Sequence, residues 1–154
     1  MYSGDPNEYH AELLMPLVSM TVVNDTNPAD KLAIIDFLIS AGADVNAVAA
    51  KRRSNVLHLF YMDVTRPDPE YAVSVTSKFL SAGTDVNGVD SLGAVPLIYA
   101  VSSLKLSTPE LTPLFLLLLN AGADPSRTDS FGENARSYAE RFPWRHDLLP
   151  LLEG

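Results

Sequence analysis

The chain has 154 residues, no cysteine and a formal net charge of −8. Its length fits one domain or one short repeat array, and 47% hydrophobic with 19% charged residues is typical of a soluble globular chain. Nucleic acid is excluded as an expected partner, because phosphate contacts need a basic stripe and the only basic run is Lys51 to Arg53. Without cysteine there is no disulfide, thiol nucleophile or cysteine-ligated zinc.

The chain carries no signal for secretion or for a membrane. The first ten residues are polar and acidic, and they lack the basic and apolar regions of a secretory signal. The most apolar stretch, residues 111 to 123, is uncharged but shorter than the roughly 20 residues that cross a bilayer. We therefore expect a cytoplasmic protein without a membrane partner, and a buried helix in this stretch.

Three glycines mark a repeat of about forty residues. Gly42, Gly83 and Gly122 lie 41 and 39 residues apart in the similar strings LISAGADVN, FLSAGTDVN and LLNAGADPS. A capping residue followed by proline precedes each string: Asn27-Pro28, Asp68-Pro69 and Thr108-Pro109. Such a pair starts a helix, because the cap satisfies free N–H groups and proline loses only an orphaned one. The pattern predicts helices over 28–41, 69–82 and 109–121, each ending near a left-handed glycine.

A shorter helix is predicted before each of these. The segments 15–18, 55–58, 95–98 and 134–137 align at the same spacing, and the turn strings DSLG at 90–93 and DSFG at 129–132 match closely. Each unit is therefore a short helix, a loop, a longer helix and a hairpin-like turn. We expect the last helix, 143–152, to close the array with charged residues such as Arg145 on a wet face.

These units resemble ankyrin repeats. The resemblance is carried by AGADVN at 41–46, AGTDVN at 82–87, AGADP at 121–125, DSLGAVPLIYA at 90–100, and by Val56-Leu57-His58 in the family's Thr-Pro-Leu-His position. It implies an all-α, ankyrin-like helical-repeat solenoid of four helix pairs joined by hairpin-like turns. One domain would cover 1–154, with units of about 12–46, 47–87, 88–126 and 127–152.

Two features depart from the family pattern. The period is longer than the usual one of about 33 residues, and the excess falls between the two helices of a unit, as at 64–68. In addition, Arg53 occupies the position of the expected turn glycine in the second unit, which leaves the geometry of that turn open.

The sequence offers no signal for catalysis, a cofactor or a metal. His10-Ala11-Glu12 has the H-x-E spacing of zinc deaminases, but the cysteine element that completes such a site is missing. His10, His58 and His146 fall in different units, so we expect no shared metal site. Phosphate-cradle, nucleophile-elbow and zincin motifs are absent too. An enzyme with an unrecognised site is kept as an alternative.

Several polar residues have structural roles as their leading interpretation. His58 occupies the position of a histidine that hydrogen-bonds the neighbouring turn in ankyrin-like proteins, and this is its leading interpretation. Partner contact and catalysis are the alternatives for His58. A set of repeated aspartates is predicted to cap turns through side-chain to backbone bonds, rather than to form a carboxylate ladder for a cation. The set comprises Asp44, Asp85, Asp90, Asp124 and Asp129.

We predict a non-catalytic protein–protein interaction module that is monomeric alone. Its contact surface would combine the turn tips with the inner faces of the short helices. The predicted contact residues are Lys51, Arg52, Ser54, Met62, Asp63, Ser91, Leu92, Ala94, Ser102, Ser103, Ser130, Phe131 and Glu133. Leu92 and Phe131 would be apolar anchors. Trp144 is interpreted as core or cap filler, with an exposed anchor as the alternative.

The basic run at 51–53 has two interpretations, a solvated turn tip or a docking site for an acidic patch on a partner. A sharper functional hypothesis is a small intracellular inhibitor, such as an immunity protein that neutralises a basic toxin through charge complementarity. The alternative is a scaffold or assembly subunit of a larger complex.

Overall fold

The computed structural model describes residues 9–10, 15–16, 27–63 and 65–153. Near the amino terminus, β1 (Tyr9–His10) pairs antiparallel with β2 (Met15–Pro16). The short helix expected at 15–18 is therefore wrong at Met15 and Pro16, and residues 17 and 18 lie outside the described residues. The physical reason is that proline disfavours helical backbone at the residue before it.

From residue 28 onward the fold is a stack of helices. The elements are α1 (Pro28–Ser40), α2 (Val56–Tyr61), α3 (Pro69–Ala82), α4 (Pro96–Ser102), α5 (Thr108–Asn120), α6 (Ala135–Arg141) and a closing 3-10 helix (Pro143–Leu152). The short helices α2, α4 and α6 pack side by side in one layer, while α1, α3, α5 and the closing helix form the other. The expected ankyrin-like helical-repeat fold is thus confirmed.

The starts of the long helices follow the cap and proline pairs, with two corrections. Asn27 stands at the cap position of α1, but its side chain makes no capping hydrogen bond. The Asp68 carboxylate accepts a hydrogen bond from the N–H of Tyr71 at 3.0 Å, as a helix cap should. In α5 the cap is Ser107 and not Thr108, because Ser107 and Glu110 have the spacing of a capping box. The Glu110 carboxylate accepts the N–H of Ser107 at 2.9 Å.

The long helices α1, α3 and α5 end in the predicted way. Gly42, Gly83 and Gly122 have φ angles of 92°, 100° and 96°, in the left-handed region that favours glycine. A Cβ atom at any of the three would meet nothing within 4 Å. Backbone conformation, and not lack of space, therefore selects glycine at these positions.

The core lies between the two layers of helices. Tyr61, Phe79 and Phe115 are fully buried there, and the hydroxyls of Tyr61 and Thr76 satisfy each other at 2.8 Å. Burial raises the pKa of Tyr61 well above its usual value. The sequence predicts a buried helix in residues 111–123, but Leu116 in α5 is 39% exposed.

Two asparagines join successive units. The side-chain amide of Asn46 donates to the carbonyl of Gly83 at 3.0 Å and accepts the N–H of Asp85 at 2.6 Å. Asn87 repeats this pattern one unit later, donating to Gly122 at 2.9 Å and accepting from Asp124 at 2.9 Å. Each asparagine thus replaces a missing backbone partner in the next loop.

The aspartates beside these asparagines cap their own turns, as predicted. Asp44, Asp85 and Asp124 each accept the backbone N–H two residues further on, at 2.9 Å in all three cases. The hydrogen bonds from Ser126 lower the pKa of Asp124 below its usual value. These carboxylates are part of the turns.

An ion pair ties the inserted loop of the second unit to the third unit. The guanidinium of Arg66 donates to both carboxylate oxygens of Glu110, each at 2.8 Å. This contact, with help from Ser107, holds the pKa of Glu110 at about 2. A second pair, Lys78 with Asp36 at 2.7 Å, joins α3 to α1. The lengthened period therefore supplies cross-unit contacts.

The expectation that Arg145 lies on a wet face of the closing helix is wrong, because Arg145 is only 2% exposed. Its guanidinium donates to the carbonyls of Val101 and Leu104, both at 3.0 Å, and to the Thr108 hydroxyl at 3.1 Å. Burial lowers the pKa of Arg145 below its usual value. The inward position follows from the winding, since residues three apart eclipse in a 3-10 helix and Arg145 shares a face with buried Leu148.

Candidate functional site

The hairpin-like turns of the second, third and fourth units, at 49–54, 90–94 and 129–133, form one continuous surface, which we call the turn edge. Each turn is numbered by its unit. The N–H of Ser91 donates to the carbonyl of Arg52 at 2.8 Å. One unit later, the N–H of Ser130 donates to the carbonyl of Leu92 at 2.8 Å, and its hydroxyl donates to the same oxygen at 2.7 Å. Neighbouring turns are therefore held in register by backbone contacts.

The third turn is organised around a buried aspartate. One carboxylate oxygen of Asp90 accepts the N–H groups of Leu92 and Ala94 at 2.9 and 3.0 Å. The other accepts the hydroxyl of Tyr99 at 2.5 Å. Gly93 completes the turn with a φ of 72°. The predicted turn-capping role of Asp90 is confirmed.

The fourth turn repeats the same arrangement. Asp129 accepts the N–H groups of Phe131 and Glu133 at 2.9 and 3.0 Å and the hydroxyl of Tyr138 at 2.6 Å. Burial alone would raise the pKa of Asp129, but these donors outweigh it and the net pKa is lowered. Burial and the bonded carboxylate raise the pKa of Tyr138 to about 12. The pair stays as carboxylate and neutral phenol at neutral pH, which fixes the turn.

The second turn lacks this arrangement. At the same spacing, Ala50 and Leu59 occupy the positions of the aspartate and the tyrosine. The turn is closed by the N–H of Ala49, which donates to the carbonyl of Ser54 at 2.8 Å. Arg53, in the glycine position, has a φ of 56°, the only positive φ of a non-glycine among the described residues. The left-handed turn is kept, at a cost in backbone strain.

His58 lies behind the second turn and has the structural role expected of it. Its Nε2 donates to the carbonyl of Ala94 in the next turn at 2.8 Å, and Nδ1 accepts the N–H of Asn55 at 3.1 Å. Burial lowers the pKa of His58, although the bond to Ala94 and the charge of Asp90 act in the opposite direction. Both ring nitrogens of the neutral imidazole are occupied, so this side chain serves the fold.

The predicted contact residues divide into three groups by exposure. Lys51, Arg52, Ser91, Ser130 and Phe131 are exposed on the turn edge. Half-buried positions beside them are Met62, Asp63, Leu92, Ser102, Ser103 and Glu133. Phe131 stands out because 72% of it is exposed.

Ser54 and Ala94 do not belong to the exposed surface, and this part of the prediction is wrong. Ser54 is 0% and Ala94 is 2% exposed. Both residues lead from a turn into the short helix behind it, and the carbonyl of Ala94 is held by His58. Turn residues at this position face inward because their backbone closes the hairpin.

Trp144 was interpreted from the sequence as filler, but it is 64% exposed. One face of its indole stacks on Phe142, with ring centroids 4.9 Å apart and an angle of 14° between the planes. Phe142 in turn stacks on Tyr138 at 6.4 Å. The flanking Pro143 marks the start of the closing helix in the sequence. It does not indicate whether the ring of Trp144 points into the core or into solvent.

A cavity of 260 Å³ lies behind the second turn. It is lined by Asn46, Val48, Arg53, Asn55, His58, Asp85, Gly88 and Val89. Apart from the exposed Arg53, its polar side chains already have partners, since Asn46 joins two units and Asp85 caps its own loop. Within the described part of the chain, no group of three or more His, Asp or Glu side chains could hold a metal ion. Of the tripeptide 10–12, Ala11 and Glu12 lie outside that part.

Comparison with known proteins agrees with the repeat assignment. No model of a known protein family matches the chain. Human ankyrin repeat and SOCS box protein 6 is 30% identical over 100 residues, which are 65% of this chain and 22% of that relative. The chain therefore spans under a quarter of the relative's length. Among the described residues, no helix combines the length and the apolar character needed to cross a membrane.

Proposed function

We propose that the chain is a non-catalytic protein-binding module whose partner contacts the turn edge. The observation that carries the proposal is Phe131, a large aromatic side chain that is 72% exposed at the tip of a fixed turn. Asp129 bonds the N–H of Phe131 itself, so the backbone below the ring is already ordered. An ordered anchor loses little conformational freedom on binding, which favours affinity.

The charge of the turn edge supports an acidic contact on the partner. Lys51, Arg52 and Arg53 are all exposed, and none of them forms an ion pair with another described residue. They form a local positive patch on a chain of net charge −8. Such a patch steers an acidic segment toward one end of the edge, while Phe131 offers an apolar contact at the other.

The repeat assignment also supports a binding function. The relative's name states that it contains ankyrin repeats, and stacked repeats build extended surfaces suited to partner proteins. The ring nitrogens of His58 and the side chain of its neighbour Asn55 already have hydrogen-bond partners within the fold. This favours a structural role for these residues over a catalytic one. The chemistry of the turn edge is recognition by charge and by an aromatic anchor.

The test is partner capture with matched variants. Wild-type protein, Arg52→Glu and Phe131→Ala would each be tagged and used to purify partners from the native cell, followed by mass spectrometry and titration calorimetry of the captured protein. We expect each variant to weaken binding at least tenfold, because interface anchors of this kind contribute about 2 kcal/mol or more. Arg52→Glu should also weaken the salt dependence of association.

Two control variants make the result specific. Arg127→Glu has the same charge change at an exposed arginine off the turn edge, and Phe37→Ala removes an aromatic side chain that is 56% exposed on α1. Both should bind as the wild type does. Equal binding by the turn-edge variants and their controls would exclude the turn edge as the contact surface.

A narrower form of the proposal is an intracellular inhibitor, of the kind that neutralises a basic toxin. The net charge of −8 supports it, because an acidic chain complements a basic enzyme. The captured partner would be assayed for activity with and without one equivalent of the chain. Loss of activity supports inhibition, whereas an unchanged, stably bound partner supports the scaffold or assembly-subunit alternative.

A further inference from the structure

The closing 3-10 helix has one face that is exposed to solvent. Because residues three apart eclipse in such a helix, Trp144, Asp147 and Pro150 lie in one row, and all three are exposed, as is Glu153 just beyond the end of the helix. We call this row the closing-helix stripe. The neighbouring row, with Arg145 and Leu148, is buried. The winding therefore separates an inner row that anchors the helix from an outer row that faces water.

The aromatic residue at the head of the stripe is held rigidly. The hydroxyl of Thr108 donates to the carbonyl of Trp144, and the next residue, Arg145, is fixed by three hydrogen bonds. The inner face of the indole rests on Phe142 at 4.9 Å. The outer part of the ring is solvated, so a large apolar surface is presented in a fixed orientation at some cost in hydration.

The ring stack to which Trp144 belongs already carries a cation at its other end. The guanidinium of Arg141 lies over the ring of Tyr138, 5.3 Å from its centroid. Tyr138, Phe142 and Trp144 follow one another through near-parallel contacts, with 26° and 14° between successive planes. The stack thus has a guanidinium on its first ring and a solvated face on its last.

The charge of the closing-helix stripe determines which kind of partner side chain would bind the solvated face of Trp144. Asp147 lies one turn from Trp144 and forms no ion pair among the described residues, while Glu153 is only loosely paired with Arg136 at 3.8 Å. Tryptophan is the best aromatic partner for a cation. A carboxylate beside it strengthens the attraction for a positive side chain and disfavours a negative one.

We propose that the closing-helix stripe is a second docking surface, separate from the turn edge, which takes a basic segment of a partner protein. An arginine or lysine of that segment stacks on the solvated face of Trp144, and its charge pairs with Asp147. This surface lies on a different element from the turn tips and has the opposite charge. The module can therefore hold an acidic segment and a basic segment at the same time.

The chain has a single tryptophan, Trp144, so tryptophan fluorescence reports on the closing-helix stripe alone. The probe is a seven-residue peptide of alternating glycine and arginine, titrated into the whole chain at low salt while tryptophan emission is recorded. A peptide in which glutamate replaces arginine is the matched comparison. We expect a saturable emission change with the arginine peptide and none with the glutamate peptide.

Variants then assign the contact. Asp147→Asn should weaken binding of the arginine peptide about two- to fivefold, as expected for loss of an exposed charge pair. Glu70→Gln makes the same charge change at an exposed position on α3, and it should bind as the wild type does. Trp144→Ala, followed by calorimetry and checked for folding by circular dichroism, should weaken binding about fivefold or more. Phe131→Ala, on the turn edge, should have no effect.

The same measurements can overturn the proposal. It fails if the emission does not saturate with the arginine peptide, if the glutamate peptide binds equally well, or if Asp147→Asn and Glu70→Gln have the same affinity. A loss of binding in Phe131→Ala would place the peptide on the turn edge and would also refute a separate site. The function proposed for the turn edge is tested with its own variants and is not decided by this result.

Discussion

The second and fourth turns have the same course but are stabilised differently. In the fourth turn, Asp129, Tyr138 and Gly132 provide one acceptor oxygen for two N–H groups, a half-buried phenol and an unstrained left-handed residue. In the second turn, Ala50, Leu59 and Arg53 stand at those three positions, and Arg53 has a φ of 56°.

The comparison shows that the turn shape is imposed by the stack and not only by its own residues. The second turn is held from outside, because Ser91 bonds the carbonyl of Arg52 and the next unit is tied to His58 through Ala94. A turn with its own aspartate and tyrosine stabilises the array, whereas a turn without them is stabilised by it. The exposed basic residues at 51–53 are accommodated on the less self-sufficient turn.

The largest effect should come from removing the aspartate of the third turn. Asp90→Ala leaves two N–H groups and the Tyr99 hydroxyl without their acceptor at a residue that is 5% exposed. We expect a loss of about 3 kcal/mol in the free energy of unfolding, since buried unsatisfied groups are costly. Urea unfolding with linear extrapolation measures it.

A double variant sharpens this result by copying the second turn. Asp90→Ala with Tyr99→Leu gives the alanine and leucine found at 50 and 59. Because the two changes remove one shared interaction, the double variant should lose less stability than the sum of the single variants. Simple additivity would mean that the bond between Asp90 and Tyr99 contributes no coupling.

An intermediate effect is expected from pH, through His58. Its pKa is lowered in the folded chain by burial, whereas the unfolded chain has the ordinary value of about 6.5. The unfolded state therefore binds more protons below this pH, so stability should fall as the pH drops from 7.5 to 5.5, by at most about 1.4 kcal/mol per unit. His58→Gln should flatten this dependence, and His146→Gln, at an exposed site, should not. An unchanged slope in His58→Gln would contradict the assignment.

The smallest effect should be a gain in stability. Arg53→Gly relieves left-handed strain of about 1 to 2 kcal/mol and adds chain entropy to the unfolded state worth about 0.5 to 1 kcal/mol. The net increase should lie between about zero and 1.5 kcal/mol, seen as a melting temperature up to a few degrees higher. Arg52→Gly, which has no positive φ to relieve, should lower it. A lower melting temperature for Arg53→Gly would show that the side chain compensates for its backbone.

The repeat spacing and helix ends were predictable because they depend on local chemistry. Glycine at 42, 83 and 122 and the proline after each cap act within a few residues, so the sequence shows them directly. The predicted cap of α5 was one residue too late, because two residues that can cap a helix, Ser107 and Thr108, stand side by side. On the turn edge, the exposure of Phe131 was predictable for the same reason, because its turn repeats the string at 90–93.

The closing helix could not be predicted, because its winding depends on tertiary contacts. The sequence predicts Arg145 on a wet face and Trp144 as core or cap filler. The 3-10 winding reverses both, and it is held by carbonyls at Val101 and Leu104, more than forty residues earlier in the chain. Burying an arginine is favourable only when such acceptors are already in place, and no local pattern shows that they are.

The amide bridges of Asn46 and Asn87 make two loop protons informative about dynamics. The N–H groups of Asp85 and Asp124 lie in surface loops, where exchange with solvent deuterium is ordinarily rapid. Here each is bonded to a side chain of the preceding unit, at 2.6 and 2.9 Å. Fraying of its own loop does not release either proton while that asparagine stays in place. We therefore expect these two protons to exchange slowly, at a rate that reports how often neighbouring units part from each other.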